Sequence, residues 1–158
     1  MNTNRLEDHS KVSLREINEN TVRAICNLAV HPIQQQFVAP NAVSIAQAYF
    51  CGQAWFRAVY LDDTPVGFLM LEDNREKPEY YLWRFMIDVR YQRRGIGKKA
   101  LQLLIEHVRT LPNATELLTS CVQKEGGPQP FYETLGFVPT GEYEEGEAIL
   151  RLDLQNLT

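Results

Sequence analysis

The chain of 158 residues carries 16 Lys and Arg against 20 Asp and Glu, a formal charge of -4, with 44% hydrophobic and 23% charged residues. That is the balance of an ordinary globular protein long enough to bury a sizeable core, and its mild acidity argues against a nucleic-acid partner. No apolar run nears the ~18 residues of a membrane span, and the stretch from Met1 to Asp8 lacks a signal peptide's apolar core, so a cytoplasmic protein without membrane contact is expected.

In chain order, the alternation of Val12, Leu14 and Ile17 predicts a first strand over residues 11–17. Asn20 or Thr21 caps a short helix to about Leu28, which His31-Pro32 stops. Residues 33–43 read as a loop closed by Pro40, and Ser44 is the expected cap of a second helix, ended by Gly52. Residues 55–61 and 66–71 are strands joined by the hairpin connection Asp62-Asp63-Thr64-Pro65. After a loop at 73–79, the run from Tyr80 to Val89 is too aromatic and β-branched to be anything but a strand. Leu101, Leu104, Ile105 and Val108 then recur at helical spacing, and Leu111-Pro112-Asn113 breaks that helix. Residues 116–122 form the next strand and 128–135 a short helix ended by Gly136. Residues 137–143 and 147–154 make a last hairpin turned at Glu144-Glu145-Gly146. No repeat, low-complexity tract or linker interrupts this α/β order, so residues 1–158 read as one domain. Cys26, Cys51 and Cys121 are odd in number and widely spaced, which indicates core thiols with neither a disulfide framework nor a metal site.

The most telling stretch is Gln92-Arg93-Arg94-Gly95-Ile96-Gly97-Lys98, set between the aromatic strand and the long helix. Glycines at 95 and 97 let consecutive backbone N–H groups converge on one anion, and the helix N-terminus adds unpaired donors and partial positive charge. Arg93, Arg94, Lys98 and Lys99 put full charges around the same point. A P-loop is excluded because Lys98 is followed by Lys99 instead of Ser or Thr. Gly95-x-Gly97-x-x-Ala100 also fits a dinucleotide-binding pattern, yet that fold needs further βαβ units and too little chain follows. A plain strand-to-helix turn with solvated basic residues is the remaining reading.

Gln92, Gly95 and Gly97 match the Gln/Arg-x-x-Gly-x-Gly/Ala loop that holds the pyrophosphate of acetyl-CoA in the GNAT superfamily of N-acetyltransferases, which this chain resembles. Phe131-Tyr132-Glu133-Thr134-Leu135-Gly136-Phe137 resembles a second signature of that superfamily, in register with the first. Trp83-Arg84-Phe85-Met86-Ile87-Asp88, Phe37-Val38-Ala39-Pro40-Asn41 and Pro139-Thr140-Gly141-Glu142 look like the bacterial spermine/spermidine acetyltransferase branch. The resemblance implies a GNAT fold, a mixed and mostly antiparallel sheet of about seven strands flanked by four helices. It implies acetyl-CoA as co-substrate and a small-molecule amine, most readily a polyamine, as acceptor. Another amine (an amino acid, an aminoglycoside-like drug, a protein N-terminus or lysine) is the alternative, as is a non-catalytic acyl-CoA-binding protein. A homodimer through a sheet edge is compatible with the sequence.

By the same resemblance, Gln92 and the backbone N–H groups of Arg93, Arg94, Gly95, Ile96, Gly97 and Lys98 would take the pyrophosphate. Backbone groups near Ile87 and Val89 would pair with the pantetheine arm, and an N–H near Ile87 would face the oxyanion. Tyr132 matches the general acid of many relatives. The acceptor's base is harder to place. Trp83 stands where relatives carry Glu or His and is no base; Glu72, through water, is the candidate, ordered water leading to bulk solvent is the alternative, and Asp88 is read as structural. Glu125 stands where many relatives carry an Asn, with Gly126 and Gly127 able to bring backbone close instead. Phe37, Tyr49, Tyr81 and Trp83 are the aromatic candidates for the acceptor pocket. Glu142, Glu144, Glu145 and Glu147 cluster on the last hairpin beside it. His107, on the long helix, reads as exposed surface.

Overall fold

The computed structural model describes residues 9–156. Strands β1 (Val12–Arg15), β2 (Ala54–Leu61), β3 (Thr64–Asn74), β4 (Glu79–Ile87), β5 (Glu116–Cys121), β6 (Val138–Glu144) and β7 (Glu147–Asp153) join in one sheet. Their order is β1-β2-β3-β4-β5-β7-β6. Every neighbouring pair is antiparallel except β4 and β5. Helices α1 (Val22–Cys26), α2 (Asn41–Tyr49), α3 (Ile96–Arg109) and α4 (Gln129–Thr134) complete the expected mixed sheet with four helices.

The two faces of the sheet bury two cores. Alternation along β3 sends Leu69 and Leu71 to one and Phe68 and Met70 to the other, and a bulge opposite Val59 and Tyr60 lets Val66 join the first. The first core is closed by α3, whose Ile96, Ala100, Leu101, Leu104, Ile105 and Val108 are buried while Lys98, Lys99, Gln102 and Glu106 stay in solvent. Burying each of the larger side chains contributes roughly 1.5–3 kcal/mol, enough to fix the helix on the sheet. The second core is closed by α1 and α2 through Ile25, Ile45 and Ala48.

Several boundaries differ from the sequence reading: β3 extends from Thr64 to Asn74 into both expected connections, and β4 ends at Ile87 with Val89–Tyr91 a 3-10 turn. Helix α2 starts at Asn41, directly after Pro40, and not at Ser44. The cause is tertiary: buried Asn41 donates from Nδ2 to Ile25 O at 2.9 Å, tying α2 to α1. Ser44 therefore lies inside the helix, where its hydroxyl turns back toward Pro40 O at 3.5 Å. The expected loop before it contains a short 3-10 helix, Pro32–Gln36, capped by His31 Nδ1, which accepts from Ile33 N–H at 3.2 Å.

What positions the site is a fork. β4 and β5 pair only through Tyr81 with Leu118 and Leu82 with Thr119, and then part. On the other side of β4, Met70 faces Arg84 and Leu71 faces Leu82, so Trp83 is the extra residue of a β-bulge. Past the bulge the ladder resumes, with Asp88 N–H donating to Val66 O at 2.8 Å. That bond flanks the Ile87–Gly67 pair, which makes the pair non-hydrogen-bonded and turns the Ile87 N–H and C=O away from β3. With a period of two, Phe85 presents its backbone to the same open edge.

Candidate active site

At the far end of β4 the chain is pinned before it enters the Gly-rich loop. Asp88 is buried, and its Oδ2 accepts from Ala29 N–H at 3.0 Å. Its Oδ1 accepts from Arg90 N–H at 3.0 Å and Arg90 Nε at 2.8 Å. Burial alone would raise the Asp88 pKa, but these donors outweigh it and hold the carboxyl below its ordinary value. Val89 N–H donates to Ala29 O at 2.9 Å, so that amide is occupied, whereas those of Phe85 and Ile87 face the open edge. Gln92 closes the arrangement, donating from Nε2 to Ile87 O at 2.9 Å and to Gln34 Oε1 at 2.8 Å.

The loop that follows has the shape of an anion cradle. Arg93 and Gly95 both sit in the left-handed region, at φ 63° and 82°. A side chain at Gly95 would meet nothing within 4 Å, so glycine is needed there for its φ and not for space. Lys99 N–H is the first of α3 to reach a backbone acceptor, Gly95 O at 3.2 Å. The N–H groups from Arg93 to Lys98 donate to no acceptor among the described residues. Converging unpaired amides at a helix N-terminus fit a diphosphate. Arg93 and Lys98 also line the cleft, whereas Arg94 lies over the Tyr91 ring at 5.6 Å and Ile96 is core, so the last two offer backbone only.

From this loop a cleft of about 1510 Å³ runs along β4 to the fork. It exceeds the ~300–1,000 Å³ usual for one small ligand, which leaves room for two substrates to meet. Phe37, Tyr81, Trp83, Glu72 and Tyr132 line it, together with Gly126 and Gly127. Glu72 is half-buried and directly opposite Tyr81 across β3 and β4. Glu144, Glu145 and Glu147 line the same region, as does Glu79, while Glu142 and Glu125 stand outside it.

Tyr49 is not among the residues that line the cleft. Helix α2 turns Asn41, Ser44, Ile45 and Ala48 inward, which places residue 49 on its outer face. The residue is 85% exposed, and its ring meets that of Phe50 edge-on at 5.0 Å. His107 is likewise not the free surface residue expected. It is half-buried and stacks on Trp55 at 4.2 Å, and burial lowers its pKa.

Tyr132 sits at the fork. Its ring is buried between Phe131 and Phe137, at 5.7 and 5.5 Å. Burial pushes the phenol far above its ordinary value, with a hydrogen-bond contact to the Thr119 hydroxyl pulling the other way. The group therefore keeps its proton at any working pH. Thr119 itself donates to Leu82 O at 3.0 Å, across the last paired residues of the fork.

Four cleft residues escaped the sequence reading. Gln34 is remote from Gln92 and gives no local signal. Thr119 and Ser120 stand out only as hydroxyls in an otherwise apolar strand. Arg84 looks like an outward strand residue, yet the bulge turns it into the cleft, where it bonds Gln47 Oε1 at 3.1 Å and lies 5.3 Å from the Trp83 ring. Its Nε is buried with no partner among the described residues.

Comparison with known proteins places this geometry. The profile of the acetyltransferase (GNAT) family matches residues 37–137. A spermine/spermidine N(1)-acetyltransferase of Bacillus subtilis is 28% identical over 151 residues, covering 90% of this chain and 99% of that one. Among solved structures, the paiA N-acetyltransferase of Thermoplasma acidophilum, in complex with coenzyme A, superposes with a TM-score of 0.70 at 14% identity. It covers 90% of this chain and 99% of that chain. A spermidine N-acetyltransferase chimera from Vibrio cholerae and hSSAT gives 0.68 at 17%, covering 91% and 96%. At those identities the structures speak for the fold, and the family profile speaks for the chemistry. The chain belongs to the acetyltransferase (GNAT) family and is an acyl-CoA-dependent N-acetyltransferase with acetyl-CoA as its co-substrate.

Proposed function

We propose that the protein acetylates a primary amine of a polyamine by direct attack on the thioester. One observation carries this reading: the cleft is polarised along β4. Arg93 and Lys98 mark one end, and Glu72, Glu79, Glu144, Glu145 and Glu147 gather with Tyr81 and Trp83 at the other. Six residues separate Tyr81 from Ile87, about 20 Å of strand. A diphosphate suits the first end and a flexible polycation the second, its methylenes against aromatic faces and its ammonium groups among carboxylates. The spermine/spermidine label of the 28% identical relative supports the same acceptor.

The reaction follows from the residues in place. The open-edge N–H of Ile87 is the donor for the oxyanion, a contribution of the order of 3 kcal/mol when preorganised. As the C–N bond forms and the C–S bond breaks, the Tyr132 phenol gives its proton to the leaving thiolate. Its pKa lies well above that of a thiol, so the transfer relies on held geometry and not on acidity.

A second reading rests on Arg84. A half-buried guanidinium with no carboxylate partner and an unpaired Nε among the described residues would suit an acceptor that carries its own carboxylate, such as an amino acid. Coenzyme A release, followed with a thiol reagent across spermine, spermidine, diamines, amino acids and N-terminal peptides, separates these. Saturable turnover with polyamines, with KM rising as salt is added, is the expected result. Turnover confined to a carboxylate-bearing amine would discard the polyamine reading and keep the enzyme class.

A further inference from the structure

The proposed reaction leaves open how the attacking nitrogen sheds its proton, and three side chains at the fork bear on this. Tyr81 of β4 shares a short hydrogen bond with Ser120 of β5, and Ser120 Oγ donates to Glu147 Oε2 of β7 at 2.6 Å. The direction of the chain is fixed by the proton inventory. An ionised carboxylate only accepts, so the single Ser120 proton goes to Glu147, and Tyr81 must be the donor to Ser120. The Tyr81 oxygen is then left with lone pairs and no proton to offer, on a side chain that lines the cleft.

We infer that Tyr81, Ser120 and Glu147 form a proton relay that takes the acceptor amine's proton during attack. Once the C–N bond has formed, the nitrogen is far more acidic than the free ammonium. Its proton passes to Tyr81 Oη, the Tyr81 proton to Ser120 Oγ, and the Ser120 proton to Glu147 Oε2. One proton leaves the nitrogen and one arrives on Glu147, which is half-exposed and returns it to solvent. Tyr81 never needs to become a free phenolate, which its burial and the nearby Glu147 and Glu144 carboxylates oppose. The other charged or titratable groups around the relay among the described residues include Arg84 on β4, Cys121 on β5 and Tyr132 on α4. Tyr81 is the catalytic residue here, with Ser120 and Glu147 acting through it. Glu72 is the rival, since it stands opposite Tyr81 but makes no hydrogen bond to it among the described residues.

This inference rests on amine acetylation by the cleft, and the test keeps the two apart. The wild-type enzyme is first assayed against the amine panel, and its best acceptor is used throughout. Tyr81→Phe and Ser120→Ala are expected to lower kcat/KM by about 10²-fold at pH 7 with KM for acetyl-CoA unchanged. The amine attacks in its neutral form, so the loss should shrink as pH rises because hydroxide then takes the adduct's proton in place of the relay. Ser120→Thr, which keeps the hydroxyl, should restore most of the rate, and Glu147→Gln should behave like Ser120→Ala even with a monoamine. Wild-type pH profiles in Tyr81→Phe, a loss from Glu147→Gln seen only in KM for polyamines, or a pH-dependent defect in Glu72→Gln alone would overturn the relay while leaving the acetyltransferase reading intact. A wild-type enzyme that acetylates no amine would overturn both. The hydrogen-bond chain has its own readout: Glu147→Gln should lower the titration midpoint of Tyr81 followed by tyrosine-ring NMR, and no change would refute it.

Discussion

Replacing Tyr132 by phenylalanine removes one buried oxygen and leaves the ring between Phe131 and Phe137 in place. The structural cost is small because Thr119 keeps its own bond to Leu82 O. Losing one neutral hydrogen bond costs about 1 kcal/mol. For a chain of this size that is ~2–4 °C in Tm. The catalytic cost is larger. A positioned general acid contributes ~10²–10⁴ in rate, or roughly 3–5 kcal/mol of barrier. Burial keeps the phenol protonated well above neutrality, so the wild-type acid is loaded across the whole assay range. The deficit of Tyr132→Phe should therefore be the same at pH 6 and pH 9. Steady-state coenzyme A release gives kcat and KM, and a thermal melt reports the fold. A variant with wild-type kcat, or one whose only defect is a raised KM for acetyl-CoA, would refute the assignment of the leaving-group proton to this residue.

Gly95→Ala meets no atom within 4 Å but must hold φ near +82°, which costs about 1 kcal/mol and tilts the cradle amides. A several-fold rise in KM for acetyl-CoA with little change in Tm beyond that cost is expected, and titration calorimetry with coenzyme A checks it. Asp88→Asn turns an amide N–H2 toward Ala29 or Arg90 and should lower stability by about 2–3 kcal/mol at pH 7. Because the folded pKa of Asp88 lies below its unfolded value of ~3.9, its contribution is present above pH 4 and is lost as pH falls through the folded value. Urea melts should thus show the gap between wild type and variant narrowing as pH falls below 4, and a gap that does not change with pH would contradict the linkage. Glu144→Gln combined with Glu145→Gln should raise KM for spermine more than for a monoamine, and the difference should fade as salt is added.

The fold was legible because period and punctuation agree along most of the chain. The aromatic run ending at Ile87, the α3 stripe and the glycines at 95 and 97 each name their own conformation. What stayed hidden depends on contacts between distant segments. Asn41 starts α2 early because it bonds Ile25 O, and no local rule places that partner. Tyr49 looked like a pocket aromatic because composition does not say which face of a nine-residue helix meets the sheet. The loop and Tyr132 were readable from motif spacing, whereas Ser120 and Glu147 become neighbours only through the pairing of β5 with β7. Sequence patterns carry a strand's facing residues well and its partners across a crossover poorly.

The bulge at Trp83 explains why the chemistry gathers where it does. A regular β4 would pair with β3 without interruption and keep its alternation from Tyr81 through Ile87. The extra residue resets that alternation, so Tyr81 and Phe85 are separated by a bend instead of lying on one straight row. The same region of β4 loses β5 after Leu82. A strand that bends while its parallel neighbour departs leaves backbone donors uncovered, and the Ile87 amide is the one whose neighbours are already committed to Val66 and Ala29. The departing strand carries Thr119 and Ser120 to the opposite wall, beneath Tyr132 on one side and Tyr81 on the other. An acidic residue at position 83 would sit on the bend itself. With tryptophan there, the only hydrogen-bonded path from the β4 wall to a carboxylate among the described residues crosses the fork to Glu147. The tryptophan at the bulge and the hydroxyls across the fork are two sides of one arrangement.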